Sequence, residues 1–161
     1  MRKITSNLLG AVLLLSSTMT FLGCSTVDDG SYTAPITLTE KIGGKWVVNS
    51  VTQTDETNAR TKTLTNLLDF DTFVINLNQD EAGNATTFSV EGNAPALLPT
   101  SGTWKMDYNF TKSDNTASNL ILNDGKAETS LTVTAVPGNT KTLEYRLTRK
   151  TNGQSFVSYT Y

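Results

Sequence analysis

The chain has no histidine and only one cysteine among its 161 residues. Without an imidazole, neither a Ser-His-Asp nor a Cys-His arrangement can be assembled within it, because each needs that base beside the nucleophile. Histidine-based zinc sites are excluded for the same reason. A single cysteine cannot close an intrachain disulfide. Proline is scarce, with four residues, and two of them, Pro95 and Pro99, fall in one stretch from Gly92 to Ser101. No stripe of Lys and Arg is present, which argues against nucleic acid as a partner. No glycine-rich phosphate cradle occurs either. Long apolar runs are missing too. The longest, Leu8 to Leu15, is well short of the roughly 20 apolar residues that span a bilayer as a helix.

That run follows Arg2 and Lys3 and precedes the small residues Ser16, Ser17 and Thr18. Two cations, an apolar core and then small residues are the layout of a secretory signal, here residues 1–23. Phe21, Leu22, Gly23 and Cys24 stand where cleavage is expected. The segment resembles the lipobox of bacterial lipoproteins, whose cysteine receives a diacylglycerol. The resemblance implies that Cys24 is lipidated and that the mature protein is held to a membrane of the cell envelope. Residues 24–35 then form a tether. Asp28 and Asp29 within it are similar to the acidic export tag of Bacteroides-type lipoproteins, which implies the outer membrane and a surface-exposed position. Loss of Arg2 and Lys3 leaves 11 basic against 15 acidic residues, a mature charge of -4.

The remaining chain, residues 36–161, is rich in Thr, Asn, Ser and Val in short alternating runs, a composition suited to strands and turns. Ile36 to Gly44 reads as one short helical turn, with Thr37 and Glu40 at capping-box spacing and two glycines to end it. Eight alternating segments follow: Trp46–Gln53, Thr72–Asn78, Thr86–Glu91, Thr103–Phe110, Ser118–Asn123, Thr129–Val136, Thr142–Arg149 and Ser155–Tyr161. Pro137-Gly138 and Asn152-Gly153 mark tight turns. Thr54 to Asp69 reads as a long loop holding a short helix, with Leu64 and Leu68 on one face. Serial hairpins cannot easily make a parallel sheet, and closing them removes aggregation-prone edges. The expected fold is all-β, an eight-stranded antiparallel up-and-down barrel with a short N-terminal helical turn. A β-sandwich is the alternative.

Gly44-Lys45-Trp46 after a helical turn, with a second Gly-x-Trp at Gly102-Thr103-Trp104, resembles the entry motif of lipocalins. Together with the lipobox and the strand count it resembles the lipocalin-like lipoproteins of Bacteroides-type bacteria. The resemblance implies that Gly44, Trp46, Gly102 and Trp104 plug the closed barrel end, with Arg146 or Arg149 lying across Trp46. In such a barrel Trp46, Phe73, Phe88, Trp104, Met106, Tyr108, Phe110, Tyr145 and Phe156 point inward. Phe73, Phe88, Met106, Tyr108 and Tyr145 are the candidate ligand-lining residues. Eight strands leave an interior just wide enough for side chains or one small ligand. Tyr159 and Tyr161 face outward on the last strand.

Carboxylates are the acid-base groups that remain. Asp69 with Asp71, and Asp80 with Glu81, are the closest pairs, but a glycosidase-type pair needs a cleft, and both read as solvated turn residues. Asn78 to Asn84 lacks the repeated Asp and terminal Glu of a calcium loop. No enzyme, metal or cofactor is therefore expected. The expected function is a membrane-anchored binding or interaction module. One form holds a small apolar or glycan ligand at the open barrel end, under the segment from Leu64 to Leu68. The other binds a surface protein, as a protease inhibitor using the Gly92–Ser101 loop or as a structural component of a surface complex.

Overall fold

A capped helical turn comes first among the described elements. Helix α1, Leu38–Ile42, is closed at its front by a capping box. Glu40 N donates to Thr37 Oγ1 (3.1 Å), and the Glu40 carboxylate accepts from Thr37 N (2.7 Å). Gly43 stops the helix, its N–H donating to Thr39 O. A side chain at Gly43 would overlap that of Gln79, whose Nε2 donates to Thr39 O (2.6 Å) and so joins the helix to the sheet.

A computed structural model describes residues 34–94, 98–138 and 140–161. Among these residues ten strands form one antiparallel sheet: β1 (Gly44–Val47), β2 (Thr52–Asp55), β3 (Arg60–Thr63), β4 (Val74–Gln79), β5 (Ala85–Glu91), β6 (Ser101–Met106), β7 (Asn119–Asn123), β8 (Glu128–Ala135), β9 (Glu144–Thr151) and β10 (Gln154–Thr160). Their order is β1-β4-β5-β6-β7-β8-β9-β10-β2-β3. A single 3₁₀ turn, Phe70–Thr72, leads into β4.

This order forces curvature. β1 and β2 are joined by only Val48–Val51, yet they stand eight ladder steps apart. Flat, eight steps of about 4.8 Å would put them about 38 Å apart. The link from Val47 to Thr52 reaches about 18 Å at most. The sheet must therefore roll until its ends approach. Accordingly, the rings of Phe73, just before β4, and Tyr161, just after β10, lie 5.5 Å apart. No ladder joins β1 to β2 or β3, so the roll has a seam.

The all-β antiparallel expectation holds, but the closed eight-stranded barrel is corrected to ten strands in an unclosed sheet. Two local features account for the difference. The expected strand Trp46–Gln53 breaks at Val48–Val51, and its halves pair with opposite partners, β1 with β4 and β2 with β10. The expected loop and helix between Thr54 and Asp69 instead hold the β2–β3 hairpin, in register from Thr52 opposite Thr63 to Asp55 opposite Arg60. One continuous ladder also replaces the two sheets of a sandwich.

The core lies on the inside of the roll. Ile75, Leu77, Phe88, Trp104, Leu120, Leu122, Leu131, Val133, Tyr145 and Leu147 are buried there at alternate positions of β4 to β9. Burying side chains of this size contributes roughly 1.5–3 kcal/mol each. Trp104 donates its indole N–H to Asn78 O (2.7 Å), so its one polar atom is satisfied. At Gly102 a Cβ would strike the Asn123 carbonyl, so β6 can approach β7 this closely only as glycine. On the outer face Arg146 donates to Ser158 Oγ (2.8 Å) and pairs with Glu56. Ser158, and after it Arg146, hold the Glu56 carboxyl below its usual range.

Candidate functional site

Among the described residues, cavities interrupt the packing, and two of them bear on function. The larger, about 720 Å³, opens on the inner face of the β10-β2-β3 end of the sheet. Register builds its floor: Tyr159 is opposite Gln53, and Gln53 is opposite Lys62, so all three share a face. The facing wall is the segment before β4, with Leu64, Leu67, Leu68 and Phe70, and the start of the β5–β6 connection, with Asn93 and Ala94.

Hydrogen bonds hold that wall in place. Leu64 N donates to Val51 O (2.7 Å), and Thr65 Oγ1 accepts from Val51 N (3.0 Å). Asn93 N donates to Thr72 Oγ1 (3.0 Å), and Asn93 Nδ2 to Leu68 O (3.1 Å), so the β5–β6 connection is fastened to the wall. Leu68 and Asp69 have φ of 57° and 55°, left-handed backbone at two consecutive non-glycine residues. Each such residue costs roughly 1–2 kcal/mol. Leu68 is nevertheless 76% exposed, and Leu67 42%. Strain is thus held in a segment that presents two leucines to solvent at the edge of the cleft. Lys62 makes no ion pair among the described residues.

The smaller cavity, about 290 Å³, lies beside the β1–β2 link. Trp46, Val48, Phe73, Tyr145 and Tyr161 give it apolar walls, and Asn49, Ser50, Lys141, Thr142 and Glu144 are its polar members. Tyr161 stacks on Tyr145 with ring centroids 5.1 Å apart. Its hydroxyl is buried and has no hydrogen-bond partner among the described residues. Burial pushes both phenols well above their usual range, so both stay neutral at pH 7.

Of the expected ligand-lining residues, Phe73 and Tyr145 meet at the smaller cavity. Phe88 and Met106 are buried in the packed core and line neither cavity. Tyr108 is corrected: it is 49% exposed, and Phe110 is 45% exposed. β6 ends at Met106, where the Asp107 carboxylate takes the Asn119 N–H (2.7 Å) and turns the chain outward. Tyr161, expected outside, is buried, and Tyr159 packs half-buried against the core. A bulge between Ser155 and Val157 reverses the alternation of β10, and a one-residue slip moves every following side chain to the other face.

Of the plug residues, Trp104 is buried, whereas Trp46 is half-buried and donates its indole N–H to Ile42 O (2.7 Å). The guanidinium found over a ring is that of Arg149, 5.4 Å from the centre of Phe156 rather than on Trp46, and Arg146 serves Glu56 and Ser158. Asp80 accepts from the backbone N–H groups of Ala82 and Asn84, the work of a turn residue. Cys24, the signal, the tether through Thr33 and residues 95–97 of the proline-bearing loop lie outside the described residues. Sequence reading missed Gln53, Lys62 and Tyr159 as cleft residues. The signal was present only for the leucines, as an apolar cluster inside an otherwise polar connection.

Residues 20–161 match the family model described as a domain of unknown function, DUF5004. The chain belongs to the DUF5004 family. No curated protein and no solved structure matches it. The likeness to lipocalins and to Bacteroides-type lipoproteins therefore rests on the short motifs quoted above.

Proposed function

We propose that this protein is an envelope lipoprotein, anchored through Cys24 to the outer membrane, whose rolled sheet works as a non-enzymatic binding module for a small, largely apolar molecule. The observation that carries the reading is the wall of the larger cleft. Leu67 and Leu68 are held exposed beside a cavity of about 720 Å³, and Leu68 and the adjoining Asp69 stand on strained left-handed backbone. That volume falls within the range of small-molecule sites, which are mostly apolar with a few placed polar groups. Backbone strain persists where surrounding structure over-determines it, commonly at ligand clamps. Gln53, Asn93 and Lys62 supply the polar groups, and Tyr159 supplies an aromatic face on which a sugar ring could also stack.

Native mass spectrometry on the protein produced in a related host tests this. The expected result is a bound mass that leaves on denaturation and whose occupancy falls in Tyr159→Ala and Leu68→Ser. A bound mass indifferent to both substitutions would move the site elsewhere. A bare protein mass that stays bare when lipid and glycan extracts of the host envelope are added would count against a small-molecule ligand.

A further inference from the structure

Three exposed apolar side chains gather at the α1 end of the domain. Ile36 is 63% exposed, Tyr108 49% and Phe110 45%. Asn109, between the two aromatics, joins them to the helix. Its carbonyl accepts from Leu38 N (2.7 Å) and its side chain from Thr39 Oγ1 (2.5 Å). The loop that carries the aromatics is braced as well. Asp107 accepts from Asn119 N and from Lys112 Nζ (3.0 Å), and Lys112 Nζ also donates to Ala117 O (3.1 Å). Rings on a loop so tightly held are displayed, and nothing in the core requires them to be outside.

The position of this patch in the chain points to what covers it. Ile36 is twelve residues after Cys24, so the covalent chain lets the two stand no more than about 43 Å apart. A weak surface contact this close to an anchor acts at millimolar effective concentration. The tether itself is mostly polar, with Val27 and Tyr32 as its large apolar residues, so it is a poor cover for the patch. Lys112 is spent on Asp107, and the Glu40 carboxylate on the helix cap. Lys41 on α1 is exposed and makes no ion pair among the described residues, so one cation stands beside the apolar side chains. An aliphatic and two aromatic side chains with a single cation beside them suit the boundary between headgroups and acyl chains.

We propose that Ile36, Tyr108 and Phe110 form a membrane-contacting face that lays the α1 end of the domain on the bilayer holding Cys24. This rests on the lipid-anchor reading of Cys24. The consequence concerns orientation. Asn93 and Ala94 of the cleft precede β6, and Tyr108 and Phe110 follow it, so cleft and patch lie at opposite ends of a strand about 17–20 Å long. With the patch on the membrane, the cleft faces away from it.

The test uses the full acylated chain in phosphatidylcholine vesicles. Cys24 is the only cysteine and is occupied by lipid, so Tyr108→Cys and, at the opposite end, Lys126→Cys each offer one thiol for an environment-sensitive fluorophore. The expected result is a blue-shifted label at position 108, quenched by spin-labelled lipid several-fold more than the label at position 126. If both variants float with vesicles and quench equally little, the face does not touch lipid and the proposal falls, while the anchor stands. If neither floats, the anchor reading falls and takes the proposal with it. A label at 108 that is blue-shifted without lipid, and only at high protein concentration, would reassign the patch to a second copy of the chain.

Discussion

Replacing Tyr161 with Phe removes one oxygen and leaves the ring. That ring stacks on Tyr145, packs against Phe73 at 5.5 Å and is 9% exposed. Its hydroxyl has no hydrogen-bond partner among the described residues. A buried donor left unsatisfied costs roughly 1–3 kcal/mol. Tyr161→Phe should therefore be more stable than the parent by about 1–2 kcal/mol, or roughly 3–8 °C in Tm for a domain of this size. Urea and thermal unfolding, followed by far-ultraviolet circular dichroism at pH 7, would read the change. The alkaline limb gives a second readout. Burial, and after it Tyr145 and Tyr159, raise the Tyr161 pKa above its ordinary value of 10.0. A raised folded pKa means stability that is complete below the unfolded value and is lost as pH climbs from there towards the folded one. The parent should thus lose stability above pH 10, and the Phe variant should lose less. A variant less stable than the parent by 1 kcal/mol or more would refute the reasoning. It would mean that the hydroxyl is satisfied, by a water or ligand in the adjoining cavity of about 290 Å³.

The two tryptophans should differ. Trp104→Ala, in the packed core, should cost about 3–5 kcal/mol by chemical denaturation, and Trp46→Ala, at a half-buried site with one hydrogen bond to Ile42, about 2 kcal/mol. Equal losses would restore Trp46 as a core plug. In acid, Glu40 is lowered by the Thr37 backbone and hydroxyl, Asp55 by Thr57, Asp80 by Asn84 and Asp124 by the N–H groups of Ala127 and Lys126. Groups with lowered folded pKa give stability that is full above their unfolded values of 3.8 to 4.5 and lost as pH falls through the folded ones. With no histidine in the chain, the melting temperature should be flat from about pH 5 to 9 and fall below about pH 4. A transition near pH 6.5 would contradict this. Cys24→Ser should abolish both the lipid mass and membrane fractionation, and retention of either would overturn the anchor reading.

Much of the fold was legible because its causes are local. The Thr37–Glu40 spacing gave α1 its capping box, and the alternation in β4 to β9 gave the inner face, since side chains in a strand repeat every two residues. What escaped the sequence depends on partners. Nothing in Val48–Val51 says that the two halves of one apparent strand pair with opposite ends of a sheet. Arg60–Thr63 is exposed along its whole length, so β3 has no apolar alternation to announce it. The inward turn of Tyr159 and Tyr161 comes from one extra residue in β10, and a bulge leaves the composition of a strand unchanged.

These illegible places also border the cavities. The β1–β2 link lines the smaller one, the shifted end of β10 supplies Tyr161 to it and Tyr159 to the cleft, and the left-handed Leu68 lies in the cleft wall. The coincidence has a physical basis. Regular alternation in a rolled sheet fills the interior with side chains and leaves no room for anything else. Space opens where the ladder is interrupted, and there local pattern no longer fixes which way a residue points. Where sequence and fold agree at every level a protein specifies itself, and departures concentrate at sites held for another purpose. In this domain the departures converge on the β1–β2 link, the end of β10 and the segment before β4, so a search for the proposed ligand belongs there rather than among the buried aromatics of β4 to β9.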